Sequence, residues 1–256
     1  MKVCPALAAA MFVFIVSVPL RADATGDVIA RARAYLGDEA ALTRVGTIHF
    51  TGRLESTERV PDAADKTKLV EKPVTLAVDI IFQKPFRQQT TLSRPDIVET
   101  TALDDYDAWQ RRANPQKPAQ WQVTLLDAAQ IKRLRANTWE NLNFFSGLEK
   151  KGGRVQLDGD VTVDGIACVK LSFRHDDDIV FVRYFDRATG RLVKTETENG
   201  TEIREEGETM VDGVRFPQKV VNKSASGQVT TIIFDRVALN EAIPAGQFSV
   251  PVLRPN

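Results

Sequence analysis

From Val155 to Val237 the chain alternates apolar and polar side chains in short runs separated by turn signals. Val163-Asp164-Gly165, Asp186 to Gly190, Asn199-Gly200, Asp212-Gly213 and Ser226-Gly227 supply the punctuation. A period of two sends successive side chains to opposite faces, and Asp-Gly or Asn-Gly pairs tolerate the positive φ that two-residue hairpins require. The pattern predicts strands near Val155–Asp160, Cys168–Arg174, Ile179–Phe185, Arg191–Glu198, Thr201–Met210, Val214–Val221 and Val229–Val237. Val169, Leu171 and Phe173 share a face, as do Ile179, Phe181 and Phe185 with Arg183 among them; Ile232 and Phe234 sit opposite Ile233. Lys194–Glu208 is polar on both faces, which predicts projecting or edge hairpins whose charge discourages edge-to-edge association.

The first half mixes two periods. Val28, Ala32, Tyr35 and Leu36 recur at helical spacing, so Asp27–Leu36 is predicted as a short helix ended by Gly37. A long strand is expected over Val45–Leu54, with Ile48, Phe50 and Leu54 on one side and Thr47, His49 and Thr51 on the other. Residues 55–72 are polar and lysine-bearing and read as a hairpin loop or flap. Thr75–Gln83 alternates cleanly, with Leu76, Val78, Ile80 and Phe82 facing one way. Shorter strands follow at Phe86–Leu92, Asp96–Ala102 and Ala108–Arg112, then a polar loop at Gln116–Gln120.

Leu126–Phe145 is the one substantial later helix: Ile131, Leu134, Thr138, Leu142 and Phe145 form a continuous stripe that Trp139 and Phe144 widen. Asp127 or Thr124 can cap it, and Gln130 stands three residues after Asp127 as in a capping box. Such a stripe needs an apolar surface beneath it. The elements add up to one domain over residues 25–256 of α+β class: an antiparallel half-barrel sheet of roughly ten or eleven strands with the long helix on its concave face. A sandwich would leave the helical stripe without a partner.

Charge and cysteine content narrow the function classes. Lys2, the apolar run Ala6–Leu20 and the small residues of Ala22-Asp23-Ala24 fit a secretory signal over residues 1–24, cleaved after Ala24, which predicts a periplasmic protein. Removing Lys2, Arg21 and Asp23 from 34 basic and 34 acidic residues leaves 32 and 33, a net charge of −1. That balance gives no long-range attraction to nucleic acid. The exported chain keeps only Cys168, flanked by Ile166, Ala167 and Val169, which suits a small buried thiol.

The catalytic inventory is thin. His175-Asp176-Asp177-Asp178 falls at a predicted hairpin tip, where a surface turn explains it, with a weak calcium site as the alternative. His49 lies mid-strand and reads as a hydrogen-bonded or surface histidine. There is no Gly-x-Ser-x-Gly elbow, no His-Glu-x-x-His and no phosphate-cradling glycine loop. No enzyme, metal or cofactor is predicted. Trp109 and Trp121 flank the Asn114-Pro115 loop and are candidates for a cavity rim, with core packing the plainer reading.

Tyr35 to Leu42 leading into Gly46 to Gly52 resembles the opening helix and first strand of outer-membrane lipoprotein-sorting-like proteins, the LolA/LolB-like superfamily. Leu148 to Gly152, Val163-Asp164-Gly165, Tyr184 to Leu192, Val211 to Pro217 and the closing stretch Asn240 to Pro251 continue the resemblance in order. The chain departs from that family at the charged segment 55–72, at Glu208-Thr209-Met210, and in lacking a first-strand arginine motif, since Arg44 and Arg53 merely bracket the strand. The resemblance implies the half-barrel fold and a carrier or chaperone that encloses an acyl chain of a lipid or lipoprotein, with envelope donor and acceptor proteins as possible partners. A monomer is expected.

On that reading Leu76, Val78, Ile80 and Phe82 form one cavity wall; Val169, Leu171, Phe173, Ile232 and Phe234 form another; and Leu142, Phe144 and Phe145 belong to the lid. Each is equally an ordinary core residue, and the expectation concerns the set. Two alternatives remain at this point. One is a non-enzymatic interaction or sensor module presenting its convex sheet or its charged hairpins to an envelope protein; the other is a lipid hydrolase using His49 or His175.

Overall fold

A computed structural model describes residues 22–251. The predicted export segment lies outside the described residues except for Ala22, Asp23 and Ala24, which open the first helix. Helices α1 (Ala22–Leu36) and α2 (Glu39–Arg44) lead into β1 (Thr47–Pro61), β2 (Leu69–Gln83), β3 (Arg87–Arg94), β4 (Ile97–Asp104), β5 (Asp107–Asn114) and β6 (Lys117–Leu125). Helix α3 (Ala128–Leu142) and a 3-10 turn (Glu149–Lys151) follow. The chain then runs through β7 (Arg154–Val163), β8 (Ile166–Asp176), β9 (Ile179–Asp186), β10 (Leu192–Thr197) and β11 (Glu202–Glu206). A small hairpin of β12 (Thr209–Val211) and β13 (Val214–Phe216) precedes β14 (Lys219–Lys223) and β15 (Val229–Leu239).

Thirteen strands form one antiparallel sheet in the order β6-β5-β4-β3-β2-β1-β15-β14-β11-β10-β9-β8-β7. It stays open, with β6 and β7 as free edges. The sheet thus exceeds the predicted ten or eleven strands. Two polar segments are more strand-like than expected, and one of them adds a strand. Residues 55–72 are a hairpin with a shorter loop than expected: β1 and β2 stay paired to Pro61 and Leu69, with Glu58 opposite Lys72 and Arg59 opposite Glu71, and only residues 62–68 turn. Part of the predicted loop Gln116–Gln120 is strand β6, paired to β5 through Ala113 and Trp121. Backbone pairing needs no apolar side chain, so exposed strands escape a hydrophobicity pattern.

Turn chemistry sets the register. Asp164 and Gly165 at φ 50° and 80°, and Asp212 and Gly213 at 50° and 83°, both take the left-handed pair that a two-residue hairpin demands. Two glycines serve close approach instead. Gly52 sits where β1 and β15 shift register, and a Cβ there would lie 2.0 Å from the Ile233 carbonyl oxygen. At Gly190, in the β9–β10 turn, a Cβ would lie 2.6 Å from the Arg31 carbonyl, so the missing side chain lets α1 dock on that turn.

All helices lie on one face, here the inner face, over two apolar clusters. The first joins Val28 and Ala32 of α1, Ala136 and Trp139 of α3, and Leu171, Phe173, Ile179, Phe181 and Phe185 of the sheet. The second joins Leu42 and Val45, Ile48 and Phe50 of β1, Phe82, Leu142, Phe144, and Val214 and Phe216 of the small hairpin. Each fully buried Leu, Ile or Phe contributes about 1.5–3 kcal/mol.

Helix α3 bridges the clusters. It starts on the expected capping box, Asp127 Oδ1 accepting from Gln130 N at 2.8 Å and Gln130 Oε1 accepting from Asp127 N at 3.0 Å. Thr138 Oγ1 donates to buried Gln88 Oε1 of β3 at 2.9 Å, which fixes the helix on the sheet.

On the outer face, the segment after β15 folds back over β1–β5. Asn240 Oδ1 accepts from Gly46 N at 2.7 Å, Gln89 and Gln247 bond reciprocally, and Trp109 Nε1 donates to the Phe248 carbonyl at 2.9 Å. Trp109 is therefore buried under the C-terminal segment and Trp121 is exposed; neither rims the inner-face hollow. Cys168 is buried on this same outer face with Val163, Tyr184 and Val193, and burial pushes its thiol pKa up.

Candidate functional site

Between the two clusters the inner face is not filled. A hollow of about 290 Å³ remains under the C-terminal end of α3. That is at the small end of ligand pockets, roughly 300–1,000 Å³, and suits a slender occupant. Its apolar wall is built by Phe50, Ile80, Phe82, Phe216, Val220, Ile232 and Phe234. Strand pairing explains the grouping: Phe50 faces Ile80, Gly52 faces Val78 and Phe234, and Val220 faces Ile232, so alternate residues of β2, β1, β15 and β14 share one face. Phe50 and Phe234 stack with centroids 4.6 Å apart.

The roof is the end of α3. The predicted helix runs to Phe145, but the helix stops at Leu142, where the Asn143 backbone N–H and side-chain amide both donate to the Trp139 carbonyl at 3.0 Å. Phe144 and Phe145 then take left-handed φ of 47° and 69°. Two consecutive non-glycine residues in that region are strained, and they persist because packing over-determines them. Phe144 is drawn into one cluster and Phe145 into the other, its ring 5.1 Å from Phe185. Arg33 of α1 holds the turn by donating to the Asn143 and Phe144 carbonyls at 3.0 and 2.8 Å.

Six of the residues expected to bind ligand line this hollow: Ile80, Phe82, Phe144, Phe145, Ile232 and Phe234. Leu142, Val169, Leu171 and Phe173 are packed solid within the clusters. Leu76 and Val78 lie on the same strand as Ile80 but do not reach the hollow.

The opposite wall is polar, and periodicity did not reveal it. Arg183 of β9, Thr195 of β10, Glu205 of β11, Asn222 of β14, and Asn137, Glu140 and Asn141 of α3 contribute to it. Arg183 faces Thr195 across the sheet, and Val220 faces Glu205. Strands β10 and β11 are thus in the middle of the sheet, not the projecting hairpins predicted from Lys194–Glu208. Their outer side chains are ion-paired, as in Lys194–Glu196 at 2.6 Å and Arg204–Glu202 at 2.7 Å, while their inner ones border the hollow. A strand that is polar on both faces therefore marked a cavity, not an edge.

Glu140 and Arg183 have side chains 4% and 7% exposed and form a buried ion pair. Glu140 Oε1 also meets His175 Nε2, whose ring packs edge-on against Trp139 and Phe181. His175 is therefore an inner-face residue, while Asp176 is half-buried and salt-bridged to Lys132 at 2.6 Å. Phe145 and Phe173 place their rings 4.9 and 4.7 Å from the Arg183 guanidinium. Glu205 opens onto the hollow from β11. The residue as a whole is solvent-exposed; the protein crowded around its carboxyl raises the pKa, with the Arg183 charge pulling the other way.

His49 lies on the outer face, Nε2 3.0 Å from Asp79 and Nδ1 2.9 Å from Glu241. It shares no site with His175, so the two histidines weighed for hydrolysis are not brought together. Among the described residues no group of three His, Cys, Asp or Glu side chains has metal-holding geometry. No described helix is long and apolar enough to cross a membrane. A surface depression of about 740 Å³ runs along edge strand β7 beside Thr25 and Glu149 and is separate from the hollow.

No protein-family model matches the chain, and no curated protein sequence does. Solved structures do. An outer membrane lipoprotein-sorting protein domain from Vibrio parahaemolyticus superposes with a TM-score of 0.54 at 13% identity, covering 87% of this chain and 95% of its own. A DUF1329 family protein from Desulfovibrio piger gives 0.56 at 12% identity, with 89% and 96% covered. A LolA superfamily protein from Nitrosomonas europaea gives 0.57 at 13% identity, with 88% and 97% covered. At these identities the likeness is one of fold: the chain has the LolA-like, open antiparallel sheet with a helix packed on one face.

Proposed function

We propose that this protein is a non-enzymatic periplasmic carrier or chaperone that binds an acyl chain of a lipid or lipoprotein in the hollow beneath α3. The observation that carries the reading is the hollow itself, walled by Phe50, Ile80, Phe82, Phe216, Ile232 and Phe234 and roofed by the strained Phe144–Phe145 turn. Each methylene moved from water into such a space contributes about 0.8 kcal/mol, so eight enclosed methylenes supply roughly 6 kcal/mol without any hydrogen bond. The LolA-like fold supports the reading, as does the export signal read in residues 1–24. On this reading the exported chain works as a monomer that receives cargo from one envelope component and yields it to another.

Native mass spectrometry of protein purified from envelope extracts tests this directly. The expected spectrum carries a lipid-sized adduct that is lost on delipidation and regained with a fluorescent fatty acid. A ligand-free spectrum with no uptake of the fluorescent acid overturns the reading. The rival interaction-module reading invoked the convex sheet or the charged hairpins of Lys194–Glu208; β10 and β11 lie inside the sheet, so the convex face is the surface that reading would use.

A further inference from the structure

Arg183 is oddly placed for a purely apolar container. It is nine-tenths buried, lines the hollow, and is surrounded by Phe145, Phe173 and Phe181. Glu140 engages only its Nη2. Among the described residues, Arg183 Nε and Nη1 are buried without a hydrogen-bond acceptor. Aromatic faces attract the charge, but they satisfy N–H donors weakly. Native proteins rarely leave two buried guanidinium nitrogens without an acceptor, because each unmade bond to a charged group is costly.

We propose that Arg183 is the head-group subsite of the hollow and that the occupant is a single-chain amphiphile ending in a carboxylate, a free fatty acid. The proposal rests on the carrier reading and specifies its ligand class. The carboxylate accepts from Arg183 at the polar wall, and the hydrocarbon tail lies along Phe50, Ile80, Phe82 and Phe234 at the apolar one. Two unmet donors call for an acceptor, and with Glu140 already opposing Arg183 an anion of single charge is the easier one to hold. The other arginine at the rim, Arg215, is committed to Glu208 and to the Tyr35 carbonyl, the latter at 3.0 Å. A phosphate dianion would bring a second negative charge beside Glu140 and Glu205, where Arg183 already opposes Glu140 and offers only its unpartnered Nε and Nη1 donors.

The test compares three ligands of one chain length, hexadecanoic acid, hexadecanol and hexadecyl phosphate, titrated against the delipidated exported chain by displacement of a fluorescent probe. The acid is expected to bind at least about tenfold tighter than the alcohol, and tighter than the phosphate. R183Q is expected to abolish the preference for the acid over the alcohol, and R183K to keep part of it because the charge remains. Equal binding of acid and alcohol by the unaltered protein overturns the head-group assignment and leaves the carrier reading standing. Tighter binding of the phosphate overturns the monoanion choice. Failure of all three ligands to bind overturns both. The ligand comparison on the unaltered protein decides the matter even if R183Q does not fold.

Discussion

Strands β8 and β9 and strands β14 and β15 belong to one sheet, share an inner face and differ in what covers them. In β9, six of eight residues are buried, Ile179, Phe181, Arg183 and Phe185 inward and Val180 and Tyr184 outward, beneath α1 and beside strands that bury them on both sides. In β14 and β15 no residue is fully buried, although Val220, Ile232 and Phe234 are as apolar. Both regions carry greasy inner positions; only one has enough helix above it. Helix α1 fills the space over β8 and β9, and Gly190 lets it come close. Over β14 and β15 only the end of α3 and the β12–β13 hairpin reach across, and they leave the hollow. The lesson is that an apolar strand face reports a need for cover without reporting how completely it is met.

The sharpest way to break this comparison is through its polar wall. Glu140→Ala leaves Arg183 buried without its counter-ion, and the expected loss is about 3–5 kcal/mol by urea denaturation. A loss below about 1 kcal/mol would mean that Arg183 reaches water and that the hollow is wider than drawn. Paired truncations come next. Leu171→Ala in the filled half should cost about 2–5 kcal/mol, because it opens a cavity in fully buried packing. Ile232→Ala beside the hollow should cost only about 1 kcal/mol, since its side chain is half-buried already. Equal losses would erase the distinction between the two regions.

Gly190→Ala presses a methyl into the α1 backbone at a left-handed position, and a loss of roughly 1–3 kcal/mol is expected. Asp127→Ala removes one half of the α3 capping box at a cost of about 1 kcal/mol, read as a lower melting temperature.

The smallest effect lies on the outer face, away from both regions. Burial alone would lower the His49 pKa, but hydrogen bonds to Asp79 and Glu241 outweigh it and raise the value above its ordinary 6.5. Those bonds favour the protonated ring, so their stabilisation is complete below about pH 6.5 and fades as pH rises through the raised value. His49→Gln should flatten the stability profile across that window. An unchanged slope would assign it to other groups.

Much of this was legible in the chain. The Asp-Gly hairpins, the strand faces of β2, β8 and β9, and the capping box of α3 follow from local chemistry that tertiary packing leaves intact. Half of the expected cavity residues line the hollow and four others are solid core. Periodicity could not separate them, since a core residue and a cavity residue have the same apolarity. The turn at Phe144–Phe145 was unreadable for another reason: two phenylalanines extend a helical stripe by pattern, and only the pull of two separate clusters breaks the helix at Leu142. The signal for the polar wall was present but pointed elsewhere, because Lys194–Glu208 showed polarity on both faces and polarity usually means water.

The sequence by itself determined an antiparallel, one-sided sheet with a helix to cover it, because alternation, turn residues and capping act within a few residues of one another. Which inner positions are filled, which border open space, and why an arginine lies among three phenylalanine rings were decided only when strands more than a hundred residues apart in the chain came to share a face. Volume left over between packed elements is a property of the assembly, and no single segment encodes it.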